Sequence, residues 1–191
     1  DHMVQELDAS LQRLGVEAID LYYVHRRDPR HEIEEVTATL AEFVKAGKVK
    51  AIGYSEIAPS SLRRAHAVHP IAAVQSEYSL STRSPEMGLI QTCAELGTSL
   101  VAFSPVGRAL LTDRPHELKE AKNMEFLAKN PRFIEPNISA NLAYNAKFRA
   151  LAADMDTSAA ALAIAWVLQK SQDVIAIPGT RSIAHLNELV A

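Results

Sequence analysis

Apolar residues at Met3, Val4, Leu7, Leu11 and Leu14 recur with a helical period, and Gly15 ends the run, so residues 1–14 read as a helix. The pattern then changes. Residues 18–24 are nearly continuous and strand-favouring, with Ile19, Leu21, Tyr22, Tyr23 and Val24, and they predict a buried strand that ends on His25. Two arginines and the turn signal Asp28-Pro29 follow. From His31 to Ala46 the period is helical again, with Ile33, Val36, Leu40, Phe43 and Val44 on one face and Gly47 as C-cap. Glu32, Glu34 and Glu35 stand near its N-terminus, where the helix dipole favours them, and read as a solvated helix start rather than an acid–base pair.

The same alternation continues. Residues 49–53 predict a short strand leading to Tyr54-Ser55-Glu56, and residues 59–68 a short helix with proline near its start. Residues 71–74 read as a strand ending in Gln75-Ser76-Glu77-Tyr78, residues 85–96 as a helix closed by Gly97, and residues 99–103 as a strand ending in Ser104-Pro105. Residues 106–136 break the regularity: a long connection with three prolines and mixed charge, of the kind that is functional or mobile in a compact α/β domain. Helices over 137–153 and 158–170 follow, with Asp156-Thr157 as a capped restart. A strand over 174–177, then Pro178-Gly-Thr-Arg181 and a helix over 183–190, complete the pattern.

Five strands, each followed by a helix, predict βαβ units and a parallel sheet. No G-x-G-x-x-G follows any strand, so the dinucleotide fingerprint of an open doubly wound sheet is absent. Polar residues close strand after strand at one end: His25, Ser55-Glu56, Gln75, Ser104 and Gly179-Thr180. An open sheet gathers its ligand groups at one switch point, whereas a barrel collects them from many strand ends. The barrel is favoured.

Composition narrows the chemistry. With 48% apolar and 23% charged residues, the chain has the balance of a globular protein. A net charge of −3 without a basic run gives no reason to expect nucleic acid or an anionic membrane surface. No apolar stretch approaches the ~20 residues that a membrane span needs. Cys93 is the only cysteine, which excludes an internal disulfide framework and a CxxC pair and fits a reducing, cytoplasmic setting. His2, His31, His66, His69 and His116 have no partner at metal-ligand spacing, so no metal site is assigned.

The succession of strand ends resembles the aldo-keto reductase superfamily, bacterial-type NADP-dependent reductases in particular. Asp8-Ala-Ser-Leu-Gln-Arg-Leu-Gly15 is similar to the helix before the family's fourth strand, and Ile19-Asp-Leu-Tyr-Tyr-Val-His25 to that strand with its active-site histidine. Gly47-Lys-Val-Lys-Ala-Ile-Gly-Tyr-Ser-Glu56 resembles the fifth strand and Ala73-Val-Gln-Ser-Glu-Tyr78 the sixth. Val101-Ala-Phe-Ser-Pro-Val-Gly-Arg108 resembles the seventh and Ile177-Pro-Gly-Thr-Arg181 the eighth. Each piece alone is weak; five in the right order are specific.

The resemblance implies a (β/α)8 TIM barrel, of which residues 1–191 form a single domain holding strands 4–8, and the reduction of aldehydes or ketones with NADPH. His25 then orients the substrate carbonyl. Ser55, Glu56 (often Asn in the family) and Gln75 match the groups that hydrogen-bond the nicotinamide carboxamide, and their donors and acceptors complement an amide. Phe103 matches the aromatic under the nicotinamide ring, and Ser104, Pro105, Val106, Gly107 and Leu110 the segment along the pyrophosphate. Gly179, Thr180 and Arg181 precede a helix whose N-terminus can face the 2′-phosphate, with Arg132 as a second candidate for that group. His185 and Glu188 match the adenine edge.

Taken singly, each of these has a plainer reading: Ser55 and Gln75 as strand-end caps, Phe103 as core, Glu56 and Arg181 as surface charges, Trp166 as packing. Two positions depart from the family pattern, Ala109 where Gly is usual and Leu189 where Asn often follows the adenine-side glutamate. The family's chemistry uses Asp, Tyr, Lys and His; its members place the first three before the fourth strand, so only the histidine has a match here, and Tyr22 and Tyr23, inside a strand, are not substitutes by the family pattern. The chain therefore reads as the C-terminal five-eighths of a barrel, inactive alone, within a parent reductase of small-molecule carbonyls. A non-catalytic NADP-binding regulatory subunit resembling potassium-channel β subunits is the alternative. An aldolase-type barrel would need a Schiff-base lysine at a strand end, and none of these strands ends in Lys.

Overall fold

The computed structural model describes residues 2–190. It is an α/β fold in which strands alternate with helices and stand in the sheet in chain order. Contacts gather the chain into two units, one running up to Ser76 and including Pro85–Val101, the other holding Glu77–Ser84 and the chain from Ala102 onward.

The first unit contains α1 (His2–Leu14), β1 (Ile19–Val24), α2 (Ile33–Lys45), β2 (Val49–Ser55), α3 (Pro59–Val68), most of β3 (Ala73–Glu77), α4 (Leu89–Leu96) and the start of β4 (Ser99–Phe103). β1, β2 and β3 are parallel, with Val24 opposite Tyr54 and Tyr54 opposite Val74. Ile52 to Ser55 of the middle strand are all buried, whereas β1 is only half-buried. Leu7, Ile33, Leu40, Ile52, Leu62 and Val74 are fully buried and form the apolar interior of this unit. Gly53 is required by close approach: a Cβ there would lie 2.6 Å from Tyr23 Cε1 and 2.9 Å from the Ala73 carbonyl oxygen. Tyr54 is buried beside it, and burial pushes its phenol pKa up. Thr37 Oγ1 donates its one proton to the Ile33 carbonyl at 2.6 Å, so the 2.7 Å contact with Tyr54 Oη has the tyrosine as donor.

The second unit contains the end of β4, α5 (Leu118–Asn123), α6 (Glu125–Ala128), α7 (Asn137–Asp154), α8 (Ala159–Leu168), β5 (Val174–Ile177) and α9 (Ile183–Val190). Its long connection is structured. α5, α6 and a 3₁₀ turn at Pro131–Phe133 bury Leu110, Ala121, Leu127, Phe133 and Ile138 in a small core of their own. Trp166 is half-buried, with Lys170 Nζ 4.0 Å from its ring centre and the Tyr78 ring 5.6 Å away.

Several boundaries differ from those predicted by pattern. The helix expected over 85–96 begins only at Leu89, after a 3₁₀ turn at Ser84–Glu86 and Gly88 at φ 110°. β2 and β3 run on to Ser55 and Glu77, because parallel pairing continues through the polar residues Ser55 and Gln75. α8 is capped by Ser158, whose Oγ accepts from the Ala161 N–H at 3.0 Å, rather than by Asp156-Thr157. Glu32 and Glu34 both reach Arg64, each at 2.6 Å, so the acidic start of α2 is ion-paired as well as solvated.

Candidate functional site

In the first unit, register does the positioning. Ser55 stands opposite Gln75, and the pairing of Val24 with Tyr54 brings His25, one residue past β1, to the same level. Three of the expected residues therefore stand side by side at the same end of three adjacent strands. Ser55 is 3% exposed, Gln75 half-buried and His25 exposed. Glu56 leaves β2 with φ 53° and donates its N–H to the Gln75 carbonyl at 2.9 Å. A left-handed backbone at this corner is one that Asn would adopt with less strain than Glu. Arg26, which pattern reading overlooks, holds the row together: its Nη1 donates to Ser55 Oγ at 3.0 Å and to the His25 carbonyl at 2.8 Å.

In the second unit a groove of roughly 1330 Å³ is lined by Phe103, Ser104, Pro105, Val106, Gly179, Thr180, Arg181, His185 and Glu188. Two segments far apart in sequence thus form one surface. Ser104 departs from β4 with φ 51°, the same left-handed exit as Glu56 from β2. Its carbonyl accepts from the Gly107 N–H at 2.9 Å, and Gly107 itself takes φ 60°. Gly107 and Leu110 are buried behind this wall, and Leu110 faces the small core instead of the groove. Ala109 has φ 72°, so a side chain occupies a backbone position that glycine adopts without strain.

Arg181 is exposed and lines the groove. Arg132 does not: its Nη1 lies 2.7 Å from Glu77 Oε1 and donates to Thr82 Oγ1 at 2.9 Å. Of these two candidates, only Arg181 therefore has access to an anion in the groove. The structure also adds residues that pattern could not supply. Arg108, Arg114, Met124 and Phe126, all from the long connection, line the groove, as does Asp113, whose Oδ2 accepts from the Ala159 N–H at 3.1 Å. Their apolar and charged spacing has no period, so no sequence signal marks them, apart from Arg108 at the end of the segment that resembles the seventh strand. A surface of this composition, apolar walls with convergent arginines and backbone turns, suits a long, partly aromatic, anionic ligand.

Among the described residues, no group of three or more His, Cys, Asp or Glu side chains is placed to hold a metal ion. No single helix among them is long and apolar enough to cross a membrane.

Comparison with known proteins gives one consistent result. A family model described as the aldo/keto reductase family matches residues 1–191. The aldo-keto reductase str7 of Strobilurus tenacellus is 40% identical over 193 residues, covering 100% of this chain and 57% of that protein. A probable aldo-keto reductase 1 of Glycine max is 42% identical over 181 residues, covering 95% of this chain and 52% of its own length. The chain thus spans a little over half the length of these relatives. Among solved structures, the glycerol dehydrogenase AKR11B4 of Gluconobacter oxydans superposes with a TM-score of 0.84 at 27% identity, over 99% of this chain and 58% of its own.

Proposed function

Because the chain belongs to the aldo/keto reductase family, we propose that it is the cofactor-binding part, with the active-site histidine, of an NADP(H)-dependent reductase that turns aldehydes or ketones into alcohols. In this reading its five strands correspond to strands 4–8 of a (β/α)8 barrel, and residues 1–191 belong to that one domain. The observation that carries it is the groove of the second unit, in which the β4 exit and the Gly179–Glu188 segment meet with Arg181 exposed.

Bound NADPH supplies the hydride. Phe103 offers a ring face to the nicotinamide, and Ser104, Pro105 and Val106 run along the pyrophosphate, shaped from behind by Gly107 and Leu110. Gly179, Thr180 and Arg181 take the 2′-phosphate, and His185 and Glu188 the adenine edge. Ser55, Glu56 and Gln75 hold the carboxamide, and His25 orients the carbonyl oxygen of a small-molecule substrate. The chain is assigned no proton donor. Tyr22 and Tyr23 are strand residues whose pKa values are pushed up by burial, and the Tyr23 ring lies over Gly53.

Fluorescence titration with NADPH and NADH tests the cofactor assignment. NADPH is expected to bind about tenfold or more tighter, the worth of one charge-assisted pair, and Arg181→Ala to remove most of that difference. Equal affinity of the wild-type chain for both nucleotides would take the 2′-phosphate role from Arg181. The chain alone, assayed with NADPH and 4-nitrobenzaldehyde, is expected to show no turnover; ordinary rates would refute the reading that these residues include no proton donor.

A further inference from the structure

A single carboxylate ties the two ends of the long connection together. Glu77, the last residue of β3, places Oε1 2.7 Å from Arg132 Nη1, and its Oε2 accepts from Arg108 Nη2 at 3.3 Å. Thr82 closes the cluster, accepting from Arg132 Nη1 at 2.9 Å and donating to Glu77 Oε1 at 3.3 Å. The side chains of Glu77, Arg132 and Arg108 are 16, 25 and 26% exposed, so water screens these contacts only in part. Burial would raise the Glu77 pKa, but the hydrogen bond and charge of Arg132 and the charge of Arg108 outweigh it and hold the carboxyl below its usual range.

Arg108 stands at the start of the connection and Arg132 near its end. Between them, the Arg108 guanidinium lies 4.4 Å from the centre of the Phe126 ring, a cation–π contact. Arg108 and Phe126 both line the groove, with Met124 and Leu127 beside them. Two half-buried guanidinium groups of like charge converge here on one carboxylate. Without it they would repel each other, and Arg108 would lose the contact that fixes its place under Phe126.

We propose that Glu77 is a positioning residue: by clasping Arg108 and Arg132 it holds the Phe126 wall of the groove in place and sets how long a dinucleotide is retained there. Retention rests on the reading of the groove given above; the clasp itself does not.

Glu77→Gln removes the charge at nearly constant volume. Hydrogen exchange of the amides of residues 118–133 is expected to rise about tenfold while that of β2 stays unchanged, and NADPH is expected to dissociate about tenfold faster in stopped flow. Arg132→Lys keeps the charge but loses the fork, reads the same two quantities should the first variant fail to fold, and is expected to show a smaller rise in both. Unchanged exchange over residues 118–133 would overturn the clasp. Raised exchange with unchanged dissociation would overturn its effect on retention. A wild-type chain that binds neither NADPH nor NADH would overturn the reading of the groove, and retention with it, while leaving the exchange result to stand by itself.

Discussion

Arg26 donates from Nη1 to the hydroxyl of Ser55 across 3.0 Å, so the residue after the candidate active-site histidine holds a candidate carboxamide ligand on the next strand. Ser55 is 3% exposed, and a buried hydroxyl keeps its orientation only while it has partners. Arg26→Ala is expected to weaken NADPH binding about three- to tenfold through the loss of this bond. Adenosine 2′,5′-bisphosphate, which lacks the nicotinamide, should bind as before. Equal weakening of both nucleotides would place the effect on the fold rather than on Ser55.

Gly53 has no room for a methyl group, because the Ala73 carbonyl and the Tyr23 ring both stand within 3 Å of where its Cβ would be. Backbone on one side cannot give way. Gly53→Ala is expected to cost about 1–3 kcal/mol, as overpacking does, and to lower the urea midpoint at unchanged slope. An unchanged midpoint would mean that β1 and β3 part easily at this level.

Ala109 works in the opposite direction. At φ 72° it sits in a conformation that costs an L-residue about 1–2 kcal/mol, against the ~0.5–1 kcal/mol that glycine loses in chain entropy. Ala109→Gly should therefore stabilise the chain by about 0.5–1 kcal/mol in denaturant titration. A loss of stability would show that the methyl group makes contacts worth more than the strain.

The Glu77 carboxyl has a folded pKa below its usual value of about 4.3, so its pairing contributes fully above that pH and is lost as pH falls through the folded value. The stability difference between wild type and Glu77→Gln should be constant from neutral pH down to about 5 and shrink below about 4. A difference that does not change with acidification would mean that the carboxylate charge adds nothing.

His25, Ser55 and Gln75 are legible in the sequence because each ends an apolar run, and parallel pairing then sets them in a row. Phe103 and the segment after Ile177 are legible for the same reason, and both come to the groove. What pattern cannot show is long-range pairing. Glu77 and Arg132 are far apart in sequence and look like ordinary loop charges until the fold joins them. The connection between β4 and α7 has no readable period because its helices span six and four residues, too short to display a face, and its core takes one residue from each turn. The proline and glycine at 85 and 88 mark where a helix expected from its apolar spacing is delayed. Arg26 shows a further limit: its type is visible, but its hydrogen bond to the next strand depends on register.

The hydrogen bond from Ala159 to Asp113 has a consequence for ionic strength. α8 starts at the groove, where Ala160 contributes to the lining, but its first N–H groups are already answered by Asp113 and Ser158. With a carboxylate set at its positive end, this helix lends little field to an incoming anion. Attraction must come from exposed guanidinium groups such as Arg181, whose fields are damped within about 10 Å at 0.1 M salt. Retention of a phosphorylated ligand in this groove should accordingly decline steadily as salt is added, in the manner of a contact made at the surface.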